Sequence, residues 1–253
     1  MIISVINHTN GQISDEQLHE AIRAINRQLA EDYTPYWSIQ ARLRVEGESG
    51  DKPRKQNLVD MRGDAVLYLW DQVDVEDALG YHDTNHRGIP CGYVFTELSK
   101  KLKENWTVTL SHEALELVGD PEVNLLVAGP HPDPQEKGRT VYHWFEMCDA
   151  VQGEAYAIDG IEVSNFVLPL YFTSGEEKGG RNDFLGRSHR GNSLRSFGVN
   201  PGGYVGFFDP STGKDGDFSA NERARKRLAV KRGAGRARRG TRYQQFTAKI
   251  KAR

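Results

Sequence analysis

The stretch TLSHEALELVGDP, Thr109 to Pro121, sets one imidazole and three carboxylates at helical spacing. At about 100° per residue, His112, Glu113, Glu116 and Asp120 fall within one arc of about 100°. Leu110, Ala114, Leu115, Leu117 and Val118 cover the opposite side, which predicts a helix anchored by an apolar back. Gly119 supplies a helix-ending residue and Pro121 prevents continuation. Burying such a polar stripe is costly unless something cationic sits on it, and a metal ion is the simplest candidate.

Around this helix lies a chain of 253 residues, long enough for one large domain or two small ones. Hydrophobic residues make up 38% of it and the mean hydropathy is -0.63, so a soluble protein is expected. No run approaches the roughly 20 apolar residues that a membrane helix needs. Met1 to Gly11 has none of the basic start, apolar centre and small-residue cleavage site of a secretory signal. Cys91 and Cys148 form no CxxC pair and predict reduced thiols in a cytoplasmic setting.

The net charge of -2 conceals a division. Residues 221–253 hold 13 Lys or Arg against one acid, Glu222, a net of +12. The remainder holds 20 basic and 34 acidic side chains, a net of -14. An acidic body therefore carries a strongly basic tail.

Upstream, Ile2 to His8 reads as a first strand. Ser14 and Gln17 form a capping box ahead of a helix through Leu18, Ile22, Ile25 and Leu29. Trp37 to Val45 reads as a second strand, and the apolar run Ala65 to Trp70 as a strand covered on both faces. Asp71 to Pro90 reads as a loop and Cys91 to Thr96 as a strand, followed by a helical stretch ending in the HEALE segment. Beyond it come a proline-rich loop at Gly129 to Pro134 and a strand from Thr140 to Phe145. Ala155 to Ile158 and Ile161 to Leu168 predict a hairpin across the tight turn Asp159-Gly160. Residues 173–218 are Gly-rich without assignable elements. Ser219 and Glu222 form a second capping box opening a basic helix.

In H-E-x-x-H zinc enzymes two histidines one turn apart bind the metal and the intervening glutamate acts as base. Here Glu116 stands in the second position, and carboxylate oxygen is an ordinary zinc ligand. His112 and Glu116 form the first ligand pair, leaving Glu113 as general base toward a metal-activated water. Asp120, or Glu146 and Asp149, completes the set. The carboxylate-rich composition suits Ca²⁺ or Mn²⁺ as well as Zn²⁺. The bland alternatives are that Glu146 and Asp149 end a strand and cap a turn, and that Cys148 and Met147 simply fill the core. His82 and His86 read as loop residues.

Strand, long helix, strands, an edge-like strand and then a metal-bearing helix resembles the N-terminal half of zincin metallopeptidases. Extended by Gly119, HExxExxG looks like a metzincin helix with glutamate in place of one histidine, and Asp120 follows the glycine directly. Ala78-Leu-Gly-Tyr-His82-Asp83, Glu146-Met-Cys-Asp149, Val163 to Phe172 and Pro201-Gly-Gly-Tyr204 look like motifs of uncharacterised zincin-like proteins of bacteria and phages. The resemblance covers about residues 60–205. It implies an α+β fold with a zincin-like mixed sheet over residues 1–176, a Gly-rich wrapping segment at 177–218, and a basic helix and flexible tail at 219–253. It implies zinc-dependent hydrolysis of peptide bonds in a peptide or protein substrate. The alternative is a non-catalytic structural or binding protein, virion-associated if phage-encoded, with a structural cation. In either case the tail's arginines and lysines suit nucleic acid or an acidic protein surface, and no membrane partner is expected.

Overall fold

The computed structural model describes residues 1–46, 63–71, 80–84, 88–173, 179–219, 221 and 224–225. It is a mixed α+β fold of two sheets and a hairpin, with one helix buried along most of its length.

The first sheet is built from β1 (Ile2–His8), β2 (Arg42–Val45), β3 (Ala65–Trp70), β4 (Gly80–Thr84) and β5 (Pro90–Phe95), in the order β2-β1-β3-β5-β4. All neighbours run parallel except β4, which lies antiparallel to β5 at one edge. Alternation along the strands separates two apolar faces. Ile3, Val5, Leu67, Leu69 and Val94 enter the main core. Val66, Tyr68 and Cys91, with Ile6, Trp70 and Tyr93 against them, form a second cluster on the other face. The apolar run of β3 is thus buried on both sides, as its composition predicts.

Helix α1 (Asp15–Arg27) starts at the expected capping box: Ser14 Oγ accepts from Gln17 N–H and Gln17 Oε1 accepts from Ser14 N–H. Of its buried face, Leu18, Ile22, Ala24 and Ile25 lie in the main core. The helix continues as a π-helical segment, Gln28–Tyr33, and a short α2 (Thr34–Trp37) that stops at Ser38 in the left-handed region (φ 56°). Trp37 therefore ends a helix rather than starting a strand, and only Arg42–Val45 of the expected second strand pairs.

The helical stretch before HEALE is two helices. After α3 (Thr96–Leu102), Lys103 turns left-handed (φ 55°), and Asn105 caps α4 (Trp106–Gly119) by accepting from Thr107 N–H at 3.2 Å. Every α4 residue from Thr109 to Gly119 is buried, so the apolar back and the polar stripe expected from sequence are both enclosed. It packs on β5, β4 and the hairpin β8 (Ala155–Ile158) and β9 (Ile161–Ser164). That hairpin turns at Asp159 (φ 51°) and Gly160 (φ 83°), both left-handed, as a type I′ turn requires.

The second sheet is wholly antiparallel: β6 (Leu126–Pro130), β7 (Thr140–Trp144), β10 (Tyr204–Asp209) and β11 (Lys214–Ser219), in the order β11-β10-β7-β6. Two of its strands lie where no element is assignable from sequence, and β6 occupies part of the proline-rich loop. β4 lies inside the loop expected from Asp71 to Pro90. Toward the tail, Ser219 ends β11, and Asn221 Oδ1 accepts from Ala224 N–H at 2.9 Å. Glu222 of the expected capping box, Arg223, and residues 226–253 of the expected basic helix and tail lie outside the described residues. Among the described residues, no helix is long and apolar enough to cross a membrane.

Candidate metal centre

Two segments meet at the polar face of α4. The helix contributes His112, Glu113 and Glu116, exposed by 4%, 1% and 4%. The segment after β7 folds back under it and contributes Glu146, Cys148 and Asp149, with Asp149 opening the 3₁₀ turn Asp149–Val151. Cys148 N–H donates to Glu116 Oε1 at 3.3 Å, which ties the segment to the helix. His112 Nε2 lies 3.0 Å from Glu116 Oε1 and 3.3 Å from Asp149 Oδ1.

Two overlapping groups result, His112–Glu116–Cys148 and Glu116–Glu146–Asp149, each with its ligand-type atoms within 4.8 Å of one another. Of the residues expected from sequence, His112, Glu116, Glu146 and Asp149 are brought together. Asp120 belongs to neither group. It receives Asn124 N–H on Oδ1 at 3.1 Å and Leu125 N–H on Oδ2 at 3.0 Å, holding the turn that leaves α4. His82 falls in β4, and His86 lies outside the described residues.

Burial is the dominant electrostatic influence. It pushes the Glu116 carboxyl up to about 7, with His112 opposing the rise and Asp149 and Glu146 adding to it. Burial likewise raises the Cys148 thiol well above its ordinary range, with Glu116 and Asp149 disfavouring the thiolate further. Such a donor set fits a divalent cation. A tetrahedral ion about 2.0–2.2 Å from each ligand separates neighbouring donor atoms by roughly 3.3–3.6 Å. The distances around His112 Nε2 are close to that spacing.

Local sequence explains the close approach. A Cβ on Gly119 would lie 2.5 Å from Met147 Cε and 3.1 Å from its Cγ, so the glycine lets Met147 close the floor beneath the helix end. Gly119 is the last helical residue, yet its φ is not left-handed. Its small size, rather than a terminating conformation, is what the fold uses.

Tyr204 is a participant that sequence reasoning missed. Its hydroxyl hydrogen-bonds Asp149, and burial first, then the charges of Asp149 and Glu116, hold its pKa far above the ordinary range. The signal was the preceding Gly202-Gly203 pair. A Cβ on Gly203 would sit 2.2 Å from the Ala150 carbonyl oxygen, so only glycine lets β10 press against the Asp149–Val151 turn. A recess of about 10 Å³, lined by Glu146, Asp149, Tyr171 and Val205 among others, reaches this side of the centre. It has room for roughly one water.

No protein-family model matches the chain, and neither curated proteins nor solved structures give a match.

Proposed function

We propose that this protein binds a divalent metal ion, zinc first among the candidates, at His112, Glu116 and Asp149, with Glu146 and Cys148 alongside. The observation that carries this reading is the convergence of two carboxylate oxygens on His112 Nε2, at 3.0 and 3.3 Å, in a buried setting. A zinc ion held there supplies Lewis acidity, polarising a carbonyl and acidifying water.

The residues around it are those of a zincin-type peptidase. Glu113 sits on the same helix beside the ligand pair and has the role of general base, taking and delivering a proton. Tyr204, through Asp149, holds that ligand in place. The parallel sheet with one antiparallel edge strand ahead of the metal helix supports the same assignment. A second reading, a structural cation in a non-catalytic protein, is favoured by burial: the recess that Glu146 and Asp149 line among the described residues has room for about one water.

Two measurements decide. Elemental analysis of protein purified without chelator should find about one divalent ion per chain. His112→Ala and Glu116→Ala should each lower occupancy and melting temperature, while Glu113→Gln keeps the metal. Protein that contains none and takes up none on zinc addition ends the metal reading. Turnover of a broad peptide library should then fall about 10²–10⁴-fold in Glu113→Gln if the site is catalytic. Full metal occupancy with no cleavage by the wild-type chain assigns the ion to structure.

A further inference from the structure

A second polar assembly lies apart from the candidate metal centre and takes no part in the reading above. Its heart is Glu154, exposed by only 4% and held by three donors. Oε1 meets His189 Nε2 at 2.6 Å and Asn200 Nδ2 at 2.8 Å, and Oε2 accepts from Asn165 Nδ2 at 2.9 Å. Asn165 Nδ2 also reaches Asp183 Oδ2 at 2.8 Å. The network therefore fixes the His189 and Asn200 side chains from behind.

In front of those two residues opens a cavity of about 680 Å³. That volume lies within the roughly 300–1,000 Å³ typical of small-molecule sites. Arg190, Arg195, Asn192 and Ser193 line it, with an apolar wall of Leu194 and Val199. Among the described lining residues none is acidic. Arg190 and Arg195 are exposed, and among the described residues neither guanidinium makes a hydrogen bond or ion pair. Arg190 is also held unusually. His189 and Asn192 exchange both backbone hydrogen bonds, at 2.8 and 3.1 Å, closing a two-residue turn of Arg190 (φ 52°) and Gly191 (φ 83°). A long side chain in the left-handed region is sterically disfavoured, and such positions gather at functional sites.

We propose that this cavity binds a small phosphate-bearing ligand of nucleoside-monophosphate size. Two uncommitted guanidinium forks match the oxygens of a phosphate dianion, which accepts paired N–H donors at fixed spacing. Asn192, Asn200 and Ser193 add neutral polar groups, and the apolar wall suits the remainder of an ester. A concave site of this size takes a small molecule rather than a nucleic-acid strand.

The test is calorimetric titration of the full chain at physiological salt with AMP, pyrophosphate, inorganic phosphate and citrate. AMP and pyrophosphate should bind saturably, one per chain, and more tightly than citrate. R190A/R195A should weaken AMP binding by about 100-fold, roughly tenfold for each lost charged hydrogen-bonding group. R236A/R238A/R239A, which removes charge from the tail, should leave it unchanged. Both cavity arginines are exposed, so the alanine pair should melt with the wild type. If it melts early, R190K/R195K carries the test: charge stays, the fork goes, and binding should weaken about tenfold. No saturable binding of any phosphate probe would overturn the proposal. So would citrate binding as tightly as AMP, full binding by both arginine-pair variants, or loss in the tail variant.

Discussion

Replacing Gly203 with alanine tests how the second sheet holds the candidate metal centre. The added Cβ would lie 2.2 Å from the Ala150 carbonyl oxygen, 2.6 Å from its carbon and 2.9 Å from the Asp149 carbonyl oxygen. Carbon atoms rest about 3.5–4.0 Å from their neighbours, so relief requires a separation of roughly 1 Å. All three obstacles are backbone, and no side-chain rotation removes them. Gly203 is not left-handed, so the effect is steric alone. Overpacking costs about 1–3 kcal/mol when side chains can give way, and a backbone collision belongs at the upper end, about 3 kcal/mol. For a chain of this size that is a fall in melting temperature of about 6–12 °C. Because the collision is with the Asp149–Val151 turn, Asp149 must move relative to His112, and metal occupancy should fall as well. Gly213→Ala is the matched control. It sits left-handed (φ 66°) at the β10–β11 turn with nothing within 4 Å of an added Cβ. It should cost about 1 kcal/mol from backbone conformation and leave the metal untouched. Thermal melts and metal analysis of both variants make the comparison. A Gly203→Ala protein that melts like Gly213→Ala and keeps its full metal content would refute the steric account.

Asn165→Ala removes the shared donor of Glu154 and Asp183 at a position with no solvent exposure, which should cost about 2–4 kcal/mol. A urea titration showing a loss below 1 kcal/mol would mean the network tolerates the gap. At acid pH, Asp209 is the group to follow. Hydrogen bonds from Ser211 and the Arg139 guanidinium hold it at about 2, below its ordinary 3.8. A depressed folded-state value gives stability that is present above pH 4 and lost as pH falls toward 2. Asp209→Asn should flatten the melting-temperature profile across that window, and an unchanged slope would assign the acid sensitivity elsewhere. For the tail, contact with six phosphates predicts a log–log salt slope of roughly -5 for duplex DNA binding. Binding that ignores salt, or that survives deletion of residues 221–253, would count against it.

Short-range chemistry was legible in the sequence. Ser14 with Gln17, the Asp159-Gly160 turn and the apolar run of β3 each depend on neighbours a few residues away, and each is found as read. His112 and Glu116 one turn apart were legible for the same reason. What failed depends on partners far along the chain. β10 read as irregular because the strand on its inner side is β7, far back in the chain, and glycines that look like loop signals are places where two backbones nearly touch. Trp37 read as strand because its apolar neighbours alternate, whereas the π-helical turn before it carries the helix on. In that turn Gln28 donates to Ser164 O and accepts from Ser111 Oγ, contacts that no local pattern encodes. The polar stripe of α4 is buried as read, but the residues that cover it, Glu146 to Asp149 and Tyr204, come from far along the chain and no local pattern places them there. The Asp120 carboxylate, on the same helical stripe, faces the following turn instead.

The antiparallel seam between β7 and β10 also sets an order of assembly during synthesis. Chains emerge from the ribosome N-terminus first, at about 5–20 residues per second. The first sheet, α4 and the Glu146–Asp149 segment are all made before Tyr204 appears. Until then β7 has only β6 beside it, and its other edge waits open for a strand still inside the exit tunnel. A nascent chain stalled ahead of β10 would therefore show a half-built sheet and an acidic cluster still open to water.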